Sequence, residues 1–97
     1  MVKLIVVIMG QNCEKFISMC LESVKGADAI VYCDGGSYGD NSLSIAKKFN
    51  AIIIKNKWDP TDKQMNGKQR NFYLNYIKEN YPNDWCLVLD ADELYLS

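Results

Sequence analysis

The stretch that decides the fold is WCLVLDADE, residues 85–93, in which an apolar run ends abruptly in three carboxylates. A short run of large apolar residues is typical of a strand buried inside a parallel sheet. Ligands of open parallel sheets bind beyond the carboxyl ends of the strands, which is where Asp90, Asp92 and Glu93 lie. Residues i and i+2 on extended backbone point to the same side, so Asp90 and Asp92 are predicted to face a common ligand.

Two carboxylates in this arrangement suit a hard divalent metal cation. Mg²⁺ and Mn²⁺ prefer oxygen ligands and complete their coordination with water and phosphate oxygens. We predict that Asp92 and Asp90 bind such a cation, or that one of them binds it while the other accepts a ribose hydroxyl. The alternative is a solvated acidic turn, and the position directly after a predicted buried strand favours the metal site.

Three further apolar runs precede this one and predict strands over residues 3–9, 29–33 and 51–55. Apolar residues at helical spacing predict a helix after each strand, the third of them over residues 67–79. The order βαβαβαβ predicts a Rossmann-like, three-layer α/β/α fold with a mainly parallel four-stranded sheet and right-handed crossovers.

Local signals predict where the helices begin and which residues enter the core. Asn12 is expected to cap the first helix and Gly26 to end it, and Asp40 or Asn41 is expected to cap the second. The aromatic and apolar residues expected to face the core include Phe16, Ile17, Cys20, Leu21, Phe72, Tyr73, Tyr76 and Ile77.

Composition excludes several classes of function. The net charge of −1 over 97 residues argues against nonspecific electrostatic binding to nucleic acid. No apolar run is long enough to span a bilayer. The absence of histidine excludes a Ser–His or Cys–His nucleophilic pair. The four cysteines are predicted to be reduced, partly buried apolar residues of a cytoplasmic protein, with any membrane association arising in regions outside this chain.

Polar or glycine-rich loops follow two of the other predicted strands. Gly10 and Gln11 follow the first strand. The second ends in Asp34-Gly35-Gly36-Ser37, where the carboxylate suits a base N–H or a ribose hydroxyl and the glycines permit close approach of a ligand. The alternative role for Asp34 is to hold its own turn.

Arg70 is the cation of interest on the predicted third helix. Its guanidinium suits a phosphate or a base carbonyl, and the alternative is a solvated helix face. Trp58 lies in a polar loop predicted over residues 56–66, and the sequence assigns it no role.

Together these motifs resemble those of family 2 glycosyltransferases of the GT-A fold. The matching motifs, in chain order, are Gln11-Asn12-Cys13-Glu14, Leu21-Glu22-Ser23, Asp34-Gly35-Gly36-Ser37-Tyr38-Gly39-Asp40-Asn41-Ser42, Arg70-Asn71 and Asp90-Ala91-Asp92-Glu93. They cover nearly the whole chain in the family's order. Each is weak alone, and their joint occurrence is specific.

The resemblance implies a nucleotide-diphospho-sugar donor, commonly a UDP- or GDP-sugar, and inverting transfer of a sugar to an acceptor that the sequence does not identify. The implied nucleotide-sugar contacts are Asp34 with the base, Asp90 with the ribose or metal, Asp92 with the metal, Arg70 with the base or phosphates, and Gly10 and Gln11 beside the nucleotide. The family's acceptor site and catalytic base lie beyond the Asp-x-Asp motif, so no catalytic residue is predicted. We therefore expect residues 1–97 to form one nucleotide-sugar-binding domain, the donor half of a truncated catalytic domain.

Two departures from the family pattern and two alternatives accompany this hypothesis. Gly10 stands where the family usually has proline, and two residues separate Ser37 from Asp40 where one is usual, which leaves the role of Asp40 open. A sugar nucleotidyltransferase is disfavoured because its loop after the first strand is richer in glycine and basic residues. A non-catalytic α/β fragment or scaffold is compatible with the whole sequence.

Overall fold

The structure, a computed structural model, describes residues 3–37 and 40–90. The elements are β1 (Leu4–Gly10), α1 (Glu14–Ser23), β2 (Ala29–Asp34), α2 (Ser42–Lys48), β3 (Ile52–Lys55), α3 (Met65–Asn80) and β4 (Trp85–Asp90). The four strands form one all-parallel sheet in the order β3-β2-β1-β4. The predicted α/β fold is therefore confirmed. Asp92 and Glu93 lie outside the described residues.

The strand order reverses beside β1. The chain proceeds from β1 outward through β2 to β3, and then returns to place β4 on the other side of β1. Met9 pairs with both Cys33 and Asp90, so β1, β2 and β4 end at nearly the same level. This edge is the topological switch point, where parallel α/β sheets bind their ligands.

The central strand β1 supplies both faces of the sheet with core residues. Val6 and Ile8 pack in a cluster with α1 and α2, whereas Ile5 and Val7 pack in a second cluster with α3. All four side chains are fully buried. Alternation along a strand explains the division, and each such burial contributes about 1.5–3 kcal/mol. The three predicted layers are thus present, with β1 at their centre.

Several helix boundaries differ from those predicted. Helix α1 ends at Ser23 with Val24 as its cap, not at Gly26, and Cys13 rather than Asn12 occupies its N-cap position. Helix α3 begins at Met65, two residues before the predicted start. The reason is a turn in which the Asp62 carboxylate accepts the Gln64 N–H (2.9 Å) immediately before the helix.

Three aromatic residues are exposed, and two of them, Phe16 and Phe72, were expected to face the core. Phe16 is 53% exposed, Phe72 36% and Trp85 72%. The buried residues of α3 are Met65, Gln69, Tyr73 and Ile77. These recur every four positions, so Phe72 falls beside the stripe they form. Trp85 belongs to β4, which pairs with β1 on one side and is an edge strand of the described sheet.

A reciprocal contact joins the N-termini of α1 and α2. The Asp40 carboxylate accepts the Glu14 N–H (3.2 Å) and the Ser42 N–H (3.0 Å). In return, the Glu14 carboxylate accepts the Asn41 N–H (3.0 Å). The Asp40 carboxylate therefore accepts hydrogen bonds from the first turns of both helices. This is a structural role for Asp40, which the sequence had left open because of the additional residue before it. We call this arrangement the helix latch.

Two further sequence expectations concern membranes and cysteines. Within residues 3–37 and 40–90, no helix has both the length and the apolar character needed to cross a bilayer. The four cysteines all lie in these ranges, and none is paired in a disulfide. Cys20 and Cys33 are buried, Cys13 is half-buried and Cys86 is exposed.

Candidate functional site

Two adjoining clefts open at the switch-point edge of the sheet. The first, which we call the β1 cleft, has a volume of about 380 Å³ and is lined by Met9, Gly10, Gln11, Asn12, Cys13, Phe16, Gly35, Trp58, Gln69 and Asp90. The second, the Arg70 cleft, is lined by Met9, Asn66, Arg70, Tyr73, Val88 and Asp90. The volume of the β1 cleft is typical of small-molecule sites, and both clefts lie where α/β proteins bind their ligands.

The clefts bring four of the predicted site residues together. Gly10 and Gln11 line the β1 cleft, Arg70 lines its neighbour, and Asp90 lines both. They meet because β1 and β4 are adjacent parallel strands and α3 leads into β4. The side chains of Arg70 and Asp90 are exposed and therefore accessible to a ligand.

Asp34 lies in a neighbouring groove that it shares with Gln11, and its carboxylate is largely engaged by its own loop. It accepts hydrogen bonds from the Gly36 N–H (3.0 Å), the Ser37 N–H (2.9 Å) and the Ser37 hydroxyl (2.6 Å). The residue is only 2% exposed. The turn-holding role considered as the alternative is thus present, and its contact with a base stays a prediction.

The loop that Asp34 organises is shaped by two glycines. Gly36 has φ of 107°, a conformation that side chains disfavour. At Gly35, the Gln11 Oε1 atom lies 3.3 Å from the position that a Cβ would occupy. The Gly35 N–H donates to the Gly10 oxygen (2.9 Å), which ties this loop to the end of β1. The Gly35 backbone therefore packs closely against the side chains of Gln11 and Trp58 in the β1 cleft.

The predicted metal pair is described only in part. Asp90 is the last residue of β4, and its backbone oxygen accepts the Cys20 thiol (3.7 Å). Asp92 lies outside the described residues. Across residues 3–37 and 40–90, no group of three His, Cys, Asp or Glu side chains is arranged to hold a metal ion.

Burial controls the ionisable groups beneath this edge. Burial and then the nearby Asp34 carboxylate raise the pKa of Cys33 to about 12. Burial, followed by its hydrogen bond to the Cys13 sulfur (3.1 Å), also raises the pKa of Tyr32. Both groups are therefore neutral at pH 7 and add no charge to this edge of the sheet.

The sequence assigned no site role to several residues of the β1 cleft, among them Trp58 and Gln69. Trp58 lies at the cleft because its backbone N–H donates to the Gly35 backbone oxygen (2.8 Å). Gln69 is fully buried and exchanges hydrogen bonds with Asn56. A signal for Gln69 did exist, because it is the polar member of the buried stripe of α3.

The structure is a Rossmann-like α/β domain with two clefts at its switch point, where parallel α/β sheets bind their ligands. The family model for glycosyl transferase family 2 matches residues 5–97, and the chain belongs to this family. Among solved structures, the crystal structure of S. aureus TarS is similar, with a TM-score of 0.67 and 25% sequence identity over 95% of this chain. The chain spans 17% of the length of that TarS chain. No curated protein sequence matches it.

These comparisons confirm the resemblance inferred from the motifs and the GT-A type of fold.

Proposed function

We propose that this chain binds the nucleotide-diphospho-sugar donor of a family 2 glycosyltransferase. The observation that carries the proposal is the junction of two chemically different clefts at Asp90. The β1 cleft is lined by Phe16, Trp58 and amide side chains, whereas the Arg70 cleft adds a guanidinium to Tyr73 and Asn66. A nucleotide sugar has the matching division, because a flat base lies at one end and an anionic diphosphate with its sugar at the other. UDP- and GDP-sugars are the donors proposed.

Arg70 is the proposed partner of the diphosphate. It is an exposed cation on α3, and it shares its cleft with Asn66 and Asp90. A guanidinium binds phosphate oxygens through paired N–H groups and keeps its charge at all relevant pH values. As the bond to the sugar breaks, Arg70 would stabilise the negative charge that grows on the leaving diphosphate.

A divalent cation suits the same edge chemically. Asp90 offers exposed, hard carboxylate oxygens on the boundary between the clefts, and Asp92 would supply a second carboxylate. An exposed position is compatible with Mg²⁺ or Mn²⁺, since these ions retain several water ligands. When bound, the cation would add charge neutralisation for the diphosphate.

We propose no acceptor site and no catalytic base among these residues. We propose that transfer is inverting, as the family resemblance implies. The donor would be bound at this edge of the sheet, and the acceptor hydroxyl would attack the anomeric carbon from the side opposite the diphosphate. For the chain alone we expect donor binding with little or no transfer.

A nucleotide titration of the 97-residue chain tests this function. Amide NMR spectra recorded with UDP or GDP, with and without Mg²⁺, should shift at Gly10, Gln11 and Asp90. Asp90→Asn should weaken the Mg²⁺-dependent part of binding about tenfold or more, because a charge-assisted contact is lost. Glu79→Gln, which removes an exposed carboxylate near the far end of α3, should leave binding unchanged. No shift at this edge with millimolar nucleotide would favour a non-catalytic scaffold instead.

A further inference from the structure

Trp58 has no role in the donor contacts described so far, yet it lines the β1 cleft. We propose that Trp58 is a donor-binding residue that stacks on the nucleobase, and that the Asn56–Gln69 amide pair holds it in place. The inference rests on the proposed function, because it names the side chain that receives one part of that ligand.

The division of chemistry between the clefts points to the base as the group beside Trp58. Arg70 lines the other cleft, so the anionic diphosphate belongs there. The β1 cleft presents Phe16 and Trp58 together with the amide of Gln11. Aromatic faces and amide groups are what a planar, hydrogen-bonding base requires, since its faces stack and its edges donate and accept hydrogen bonds.

The backbone around Trp58 is fixed by an extension of the sheet. Beyond the end of β3, the Asn56 N–H donates to the Asp34 oxygen (3.0 Å), and the Trp58 N–H donates to the Gly35 oxygen (2.8 Å). The Trp58 Cβ lies 3.4 Å from the position a Cβ would take on Gly35. The chain therefore follows the end of β2 closely and carries the indole to the cleft.

A buried amide pair fastens the same loop to α3. The Asn56 side-chain amide donates to the Gln69 Oε1 atom (2.6 Å), and the Gln69 amide donates to the Asn56 backbone oxygen (3.1 Å). Gln69 is fully buried, so a loop that moved away would leave its amide without these partners. The loop is therefore held against α3, and Trp58 is already in position before the ligand binds. Binding is favoured because little conformational entropy of the loop remains to be lost.

Fluorescence can isolate Trp58, because the chain contains two tryptophans and the other, Trp85, lies at the opposite end of β4. In a Trp85→Phe variant, UDP should quench the single remaining indole in a saturable manner. In the matched Trp58→Phe variant, the emission of Trp85 should not respond to UDP. Quenching of Trp85 alone would contradict the placement of the base.

Calorimetry then separates stacking from a general loss of structure. Trp58→Ala should weaken UDP binding on the order of 10- to 100-fold, whereas Trp58→Phe should retain most of the affinity. Binding of pyrophosphate, which has no base, should be unchanged in both variants. Equal UDP affinity in wild type and Trp58→Ala would overturn the inference while the proposed function stands. Failure of the wild type to bind either UDP or GDP would instead defeat the proposed function.

The positioning role of Gln69 has its own readout. Gln69→Leu removes both hydrogen bonds to Asn56 at similar volume, so the loop should gain freedom. In the Trp85→Phe background, the fluorescence anisotropy of Trp58 should fall, and UDP affinity should fall with it. Circular dichroism would verify that the sheet is retained. Unchanged anisotropy and affinity in a folded Gln69→Leu protein would show that the amide pair does not position Trp58.

Discussion

Gly35 illustrates how little space separates the three segments at the site. Its N–H donates to Gly10 and its oxygen accepts from Trp58, so it joins the ends of β1 and β2 to the loop after β3. A Cβ at this position would stand 3.3 Å from the Gln11 Oε1 atom and 3.4 Å from the Trp58 Cβ. Any side chain here would therefore displace at least one wall of the β1 cleft.

Gly35→Ala should accordingly lower the free energy of unfolding by about 1–3 kcal/mol, the usual cost of overpacking. Gly26→Ala is the matched control, because nothing lies within 4 Å of its added Cβ. Urea denaturation of the two variants measures the difference. Equal stability of both would mean that the contacts around Gly35 relax without cost.

At the scale of elements, the helix latch makes stability depend on pH. Burial alone would raise the pKa of Asp40, but hydrogen bonds from Ser42 and from the Glu14 N–H outweigh it and hold that pKa below its usual range. A carboxylate with a lowered pKa stabilises the folded state above its ordinary pKa of about 3.9, and this contribution is lost as the pH falls through the lowered value.

Asp40→Asn should therefore reduce stability at pH 7 and flatten the loss of stability as the pH falls below about 4. Chemical denaturation at several pH values measures both effects. Glu79→Gln controls for the removal of one negative charge away from the latch. An Asp40→Asn variant whose acid sensitivity matched that of the wild type would contradict the latch.

Prediction from sequence succeeded where an element's environment follows from its own pattern. The apolar run of β1 predicted a strand buried on both faces, and its central residues are buried. The similar run of β4 predicted the same, but β4 is an edge strand in the described sheet, and Leu89 is its buried residue. The pattern of one strand does not encode how many neighbours it will have, so this expectation was wrong.

The candidate site likewise contains residues that the sequence could place and residues that it could not. Gly10, Gln11 and Asp90 meet because residues following parallel strands share one edge, which is a rule that a sequence can invoke. This rule could not identify Trp58, because the position of Trp58 depends on backbone hydrogen bonds beyond β3 and on the side-chain hydrogen bond between Asn56 and Gln69. Such contacts arise only once the sheet and α3 have assembled.

For the whole molecule, the cysteines report how cooperatively the two cores open. Cys33 lies in β2 within the cluster that packs against α3, and Cys20 lies in the cluster of α1 and α2. Cys86 is exposed on β4. Since β1 contributes to both clusters, opening either one should disturb the strand that supports the other, and the domain should unfold as a unit.

Alkylation with N-ethylmaleimide, mapped by mass spectrometry at pH 7.5, should therefore label Cys86 rapidly and label Cys20 and Cys33 slowly at a common rate. Burial and a pKa of about 12 keep the Cys33 thiol protonated in the folded state, so it should react only through global opening, at least about 10³-fold more slowly than Cys86. In 8 M urea all four should react alike. If Cys33 were labelled much faster than Cys20 in the folded protein, the two clusters would open independently, and the α3 side of the sheet, which carries Gln69 and Arg70, would be the less stable one.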